Sequence, residues 1–106
     1  MIGIEDLAKL ELRIGKIVHV ENHPDASKLY VLQIDMGESQ TQLVAGLKGY
    51  YSPEELEGKL IVVVVNLEPK TLRGVTSYGM LLAAQSEDKV VILTPEKDIP
   101  PGSLIR

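Results

Sequence analysis

Between two strand-like apolar runs, the segment Asn66 to Ala84 sets amide, cationic and hydroxyl groups, among them Asn66, Lys70, Arg73 and Ser77. It reads as a presented binding loop. The Arg73 guanidinium offers a planar fork to a phosphate or stacks on an exposed base, while Lys70 supplies a compact charge on a flexible stem. The whole chain carries a net charge of −4, yet Glu68, Lys70 and Arg73 leave residues 66–80 at +1. The cations therefore sit where an anionic partner would dock. An acidic balance overall works against a nonspecific coat on nucleic acid, because long-range attraction to phosphate is weak or adverse. Any such binding has to be local and shape-dependent.

Other chemistries find less support. His19 and His23 invite a metal reading, but they flank a turn at Pro24, lack a helical scaffold and have no third obvious ligand. No metal is expected. Glu54, Glu55 and Glu57 fall on what reads as an exposed helical turn, where carboxylates favour the helix dipole instead of forming a paired acid and base. Neither a nucleophile motif nor a phosphate-binding glycine loop nor a dinucleotide fingerprint is present, so no catalytic residue and no cofactor is expected.

The elements that must hold the loop are mostly short strands. At 106 residues the chain fits one domain, residues 1–106, and folding buries about two-thirds of its unfolded surface without staples. It has no cysteine, which removes disulfides and thiolate metal sites and makes the cytoplasm the default compartment. The longest apolar run, Leu60 to Val65, is far short of a membrane span, and Glu5 and Asp6 stand where a signal peptide needs basic residues. Gly3 precedes a brief helix predicted over Ile4 to Leu10. Leu12, Ile14, Val18 and Val20 are then in phase for a first strand, with Ile17 out of phase after Gly15, the signature of a bulge or bend. Glu21 to Ser27 is a cluster of turn formers that should interrupt any sheet. Strands over Leu29 to Asp35 and Thr41 to Ala45, joined by a polar turn from Gly37 to Gln40, form a hairpin. Ser52-Pro53-Glu54-Glu55 starts a short helix with a capping box, which ends at Gly58. Leu60 to Val65 is a fourth strand whose every position is apolar, implying cover on both faces, one of them by another subunit. Tyr78 to Ala84 reads as the fifth strand, with Val90 to Leu93 a shorter sixth ahead of a proline-rich tail.

Three strands, a short helix and two more strands is the order of an OB-fold, an all-β five-stranded Greek-key barrel, here with a short N-terminal helix and a C-terminal extension. The Asn66 to Ser77 segment then becomes the loop between strands four and five. Glu21 to Ser27 becomes the loop between strands one and two.

Several ordered motifs on that frame resemble a known family. They are Leu12-Arg13-Ile14-Gly15-Lys16-Ile17, His23-Pro24-Asp25-Ala26, Lys28-Leu29-Tyr30, Ala45-Gly46-Leu47, Ser52-Pro53-Glu54-Glu55-Leu56, Gly58-Lys59 and the Asn66 to Ala84 segment. The chain resembles the tRNA-binding OB domain found on methionyl-tRNA synthetases, in free-standing bacterial proteins and in synthetase-associated cofactors. The resemblance covers nearly the whole chain. It implies non-catalytic binding of the tRNA outer corner by shape, usually as a homodimer, as an accessory domain of methionyl-tRNA synthetase or a free-standing equivalent, with the synthetase catalytic domain as a partner in cis or in trans.

Carried over residue by residue, the resemblance puts tRNA-binding roles on Asn66, Lys70, Arg73, Ser77 and Met80. Asn66 and Ser77 would bond sugar hydroxyls, phosphates or base edges, and Met80 would pack against a base. Lys28, Tyr30 and Lys48 follow as rim contributors. Each has a plainer competitor: solvated loop charge for Lys70 and Arg73, a strand-end cap for Asn66, core filler for Met80. Tyr30, Tyr50, Tyr51 and Tyr78 are the only aromatics, and the expectation for each is a buried ring with a wet hydroxyl and no stacking role. A dimeric protein-interaction or chaperone-like OB module is the alternative function. The cation and amide set discriminates, since a peptide-binding surface has no evident need for it.

Overall fold

A computed structural model describes residues 1–106 and places them in a nearly closed antiparallel barrel. The chain opens with α1 (Ile4–Leu7), followed by β1 (Leu12–Asn22), β2 (Tyr30–Asp35), β3 (Gln40–Ala45), α2 (Pro53–Leu56) and β4 (Leu60–Val64). After these come β5 (Lys70–Leu72), β6 (Val75–Ser77), β7 (Met80–Leu81), β8 (Ala83–Ser86), β9 (Lys89–Ile92) and β10 (Leu104–Ile105). The main sheet runs in the order β3-β2-β1-β4-β7, with β10 also on β1. This is the expected all-β OB-type barrel.

One long strand, β1, bends and pairs with three others. Leu12 to Lys16 of β1 pair with β4 and Lys16 to Asn22 pair with β2, with a register shift between Ile17 and His19. The bulge inverts the alternation, so Ile17 is buried and Val18 is left exposed. The in-phase set that includes Val18 is therefore corrected, while the expected bulge is present. β1 also runs on to Asn22, which pairs with Tyr30, so the connecting turn starts at His23 and not at Glu21.

The β2–β3 hairpin forms in full register from Tyr30↔Ala45 to Asp35↔Gln40. Tyr30 alternates inward with Leu32 and Ile34 and is only 3% exposed, which removes it from the rim. In α2 the Ser52 Oγ accepts from Glu55 N–H at 3.3 Å and Glu55 Oε1 accepts from Ser52 N–H at 2.9 Å, the reciprocal capping box. That cap fixes a single helical turn whose purpose is to deliver Leu56 into the core beside Ile17, Ile61 and Ile92. Burying one such side chain is worth about 1.5 to 3 kcal/mol.

Three expectations at the ends of elements are revised. α1 stops at Leu7, and Ile4, Leu7 and Leu10 are all exposed. The fifth strand is two pieces: Met80–Leu81 pairs with Val63–Val64, and from Ala83 the chain leaves β4 to make the β8–β9 hairpin. The tail carries a strand of its own, since Leu12↔Ile105 and Arg13↔Leu104 are paired. In β4, Ile61 and Val63 are fully buried on the inner face, while on the other face Val64 is buried and Leu60 and Val62 are half-buried.

Candidate nucleic-acid interface

The segment between β4 and β7 is not an open loop but a projecting hairpin. Lys70↔Ser77, Thr71↔Thr76 and Leu72↔Val75 pair across β5 and β6, with a Thr71 to Thr76 hydroxyl contact of 3.0 Å between the strands. Its two-residue turn is Arg73-Gly74, with φ of 51° and 87°. A two-residue turn with both central residues left-handed matches the right-handed twist of its strands, and it normally selects asparagine or glycine at the first position. Arginine there costs about 1 to 2 kcal/mol, so turn geometry does not account for the choice of residue.

Two contacts tie this hairpin to the β1–β2 turn. Nδ1 of the buried His23 accepts from Asp25 N–H at 2.9 Å, so the proton is on Nε2, which donates to the Leu72 carbonyl at 2.8 Å. Arg73 Nη1 reaches the Asp25 carbonyl at 3.4 Å, a long and weak contact. Both ring nitrogens of His23 are spent on backbone, so its part is to latch two loops. The His-Pro-Asp turn carried the signal, but its partner is 49 residues away.

The candidate residues divide into presented and committed groups. The chain's ion pairs are Lys9–Asp6 and Arg13–Glu11, beside a His19–Glu21 side-chain hydrogen bond, which leaves Lys70 and Arg73 exposed with no carboxylate partner. Met80, paired with Val64 at the hairpin's foot, is 50% exposed and is not core filler. Lys28 is exposed on the turn that His23 latches, and Lys48 is exposed in the connection after β3. Asn66 is exposed but committed: its Oδ1 accepts from Glu11 N–H at 2.8 Å and its Nδ2 donates to the Lys9 carbonyl at 2.6 Å. That clamp is the strand-end cap weighed against a contact role.

Ser77 is the clearest departure. It is 5% exposed; its Oγ accepts from Val44 N–H at 2.9 Å and donates to the Gly79 carbonyl at 2.8 Å. Beside it Tyr78 N–H donates to the Gln42 carbonyl at 2.9 Å, so these residues close the barrel between β3 and β7. The hydroxyl faces the seam and not a ligand. Gly79 belongs to the same seam, for a Cβ there would lie 2.6 Å from the Val64 carbonyl oxygen.

Comparison with known proteins shows what the chain is similar to. Residues 12–104 match the family described as "Putative tRNA binding domain". Methionine–tRNA ligase of Thermococcus kodakarensis is 52% identical over 105 residues, which is 99% of this chain and 14% of the ligase. The ligase of Nanoarchaeum equitans is 50% identical over 106 residues, again 14% of its length. The chain thus spans about one-seventh of the curated relatives it matches. Among solved structures, a MetRS related protein from Pyrococcus horikoshii superposes with a TM-score of 0.93 at 34% identity, covering 100% of this chain and 98% of that one. Chaperone CsaA from Bacillus anthracis gives 0.91 at 38% identity, covering 100% and 99%.

Proposed function

The chain belongs to the tRNA-binding domain family, and from that premise we propose that it binds folded tRNA by shape and without catalysis. Its setting is that of an accessory domain of methionyl-tRNA synthetase or of a free-standing equivalent. The observation that carries the reading is the latched hairpin, which holds two unpaired cations, Lys70 and Arg73, clear of an otherwise acidic barrel. Met80 and Lys28 flank them as apolar and cationic contacts, and Lys48 extends the rim. Asn66 and Ser77 serve by positioning: one pins the hairpin's root to residues 9–11, the other closes the barrel beneath it. The domain raises a synthetase's hold on its substrate either by tethering in cis or by adding contacts in trans. Cytoplasmic action fits a chain with no cysteine and no helix long and apolar enough to cross a membrane.

Few phosphate contacts give a shallow salt dependence. With about two or three, the slope of log affinity against log salt is expected at roughly −2 to −3. A salt-titrated gel shift on folded tRNA and on an unstructured RNA of equal length measures it. Equal affinity for the two RNAs would sink recognition by shape.

A homodimer is part of the same reading. Ile2, Ile4, Leu7 and Leu10 at one end of the chain and Leu104 at the other are all exposed, and a second copy would cover them. Sedimentation at micromolar concentration is expected to show twice the mass of one chain; a clean monomer refutes it. The alternative, a dimeric chaperone-like or protein-interaction module, draws on those same apolar residues and on the likeness to CsaA. Such a module has no use for a strained arginine at a hairpin tip.

A further inference from the structure

Of the four tyrosines, Tyr50 and Tyr78 are exposed, and of these two only Tyr78 borders the surface depressions described below. Tyr30 and the half-buried Tyr51 each bond through the hydroxyl, Tyr30 Oη donating to the Tyr51 carbonyl at 2.8 Å and Tyr51 Oη accepting from Ile92 N–H at 3.2 Å. Tyr78 is 51% exposed, and its hydroxyl has no partner within the chain. Two open depressions meet at it, of about 560 and 540 Å³.

The lining decides what kind of group fits. One depression is bordered by Glu11, Arg13 and Glu38, but the Arg13 cation is spent, with Nε 2.6 Å from Glu11 Oε2 and Nη1 2.8 Å from the Gly102 carbonyl. No free positive charge remains there for a phosphate. The other depression is bordered by Gln33, Gln40 and Gln42. Gln33 Nε2 donates to Gln42 Oε1 at 2.9 Å, and Gln42 Nε2 donates to the Thr76 carbonyl of β6 at 2.8 Å. This row is held in place from the hairpin and ends on the Gln33 side with a carbonyl oxygen and a further N–H to offer. An exposed ring flanked by oriented amides, with no available cation, suits a neutral planar group that carries donors and acceptors on its edge.

We propose that Tyr78 is a stacking platform for an unpaired base of the bound RNA, with the Gln33–Gln42 amide row, and Gln40 beside it, reading the base's edge. This deepens the tRNA-binding reading and rests on it. Tyr78 directly follows Ser77, whose cross-strand partner is Lys70. Phosphates of the strand therefore lie along the hairpin while one base folds down onto the ring at its foot, the mode by which unstacked loop bases are recognised in RNA.

The test compares full-length variants. Tyr78→Ala is expected to bind folded tRNA about ten-fold more weakly than the wild type, and Tyr78→Phe within about two-fold of it. The salt slope stays the same in both, because no cation is removed. The chain has no tryptophan, so Tyr78→Trp introduces a single reporter whose emission should be quenched saturably by oligoadenylate. Wild-type affinity in Tyr78→Ala, while the wild type retains folded tRNA, overturns the platform and leaves the proposed function standing. Equal losses in Tyr78→Ala and Tyr78→Phe also overturn it, since the hydroxyl and not the ring would then be at work. If the wild type ignores folded tRNA but the Tyr78→Trp emission is still quenched, the proposed function fails and the platform survives. Absence of quenching overturns the platform outright, and this arm decides the matter if Tyr78→Ala does not fold.

Discussion

Replacing Arg73 by alanine is expected to weaken tRNA binding by about 1 to 3 kcal/mol, between five-fold and a hundred-fold or slightly more, with the melting temperature almost unchanged. The side chain is exposed and its one intramolecular contact, to the Asp25 carbonyl, is 3.4 Å long, so the barrel loses little with it. Alanine suffers the same left-handed penalty at φ 51° as arginine, so that term cancels. Arg73→Asn separates the roles further. Asparagine tolerates the left-handed region, so this variant should melt a few degrees higher while binding less well. In both variants the salt slope should flatten by about 1. Filter binding beside thermal melts checks each sign. An Arg73→Asn variant that binds like the wild type would reduce Arg73 to a turn residue.

Ser77→Ala should show the opposite pattern. Its hydroxyl is buried in the seam and satisfies Val44 N–H and Gly79 C=O together, so removal leaves a buried donor without its partner. A loss of about 1 to 3 kcal/mol in stability is expected. At about 4 to 8 °C per kcal/mol, the melting temperature falls by roughly 4 to 24 °C. Well below that midpoint, tRNA affinity should stay within about three-fold of the wild type, since no contact to RNA is removed. A variant that melts normally but binds ten-fold more weakly would place the hydroxyl at the RNA. Those two results would assign stability to the serine and recognition to the arginine four residues before it.

Which of these features sequence reveals depends on how local their causes are. The β2–β3 hairpin and the Ser52–Glu55 capping box are settled by residues within a few positions of one another, and both are present as read. The bulge was visible as a break in alternation, though not which side of it kept the core phase. The β5–β6 hairpin was hidden because three-residue strands carry almost no periodicity and Arg73-Gly74 lacks the usual turn dipeptide. The two residues of β10 exist only because β1 offers them an edge. The roles of Ser77 and His23, and the choice between cap and contact for Asn66, were hidden for a related reason: each bonds backbone 33 to 57 residues away, and a polar side chain does not announce whether its partner is protein or solute. The tyrosines make the same point, since Tyr30 points inward from β2 while Tyr78 lies in the bend between β6 and β7, a difference that residue type does not announce.

The His23 latch bears on the entropy of recognition. A two-stranded hairpin with three residues per strand is at best marginal in water by itself, and it would sample many shapes between encounters. Ordering such a segment at the moment of contact consumes part of the interaction energy, about 1 to 2 kcal/mol for each residue whose backbone must be fixed. Here the imidazole, buried at the start of the β1–β2 turn and bonded to Leu72, confines the tip beforehand. As the proposed contacts, Lys70 and Arg73 would then meet an anionic ligand already arranged, so that two cations would suffice where a floppy loop would need more.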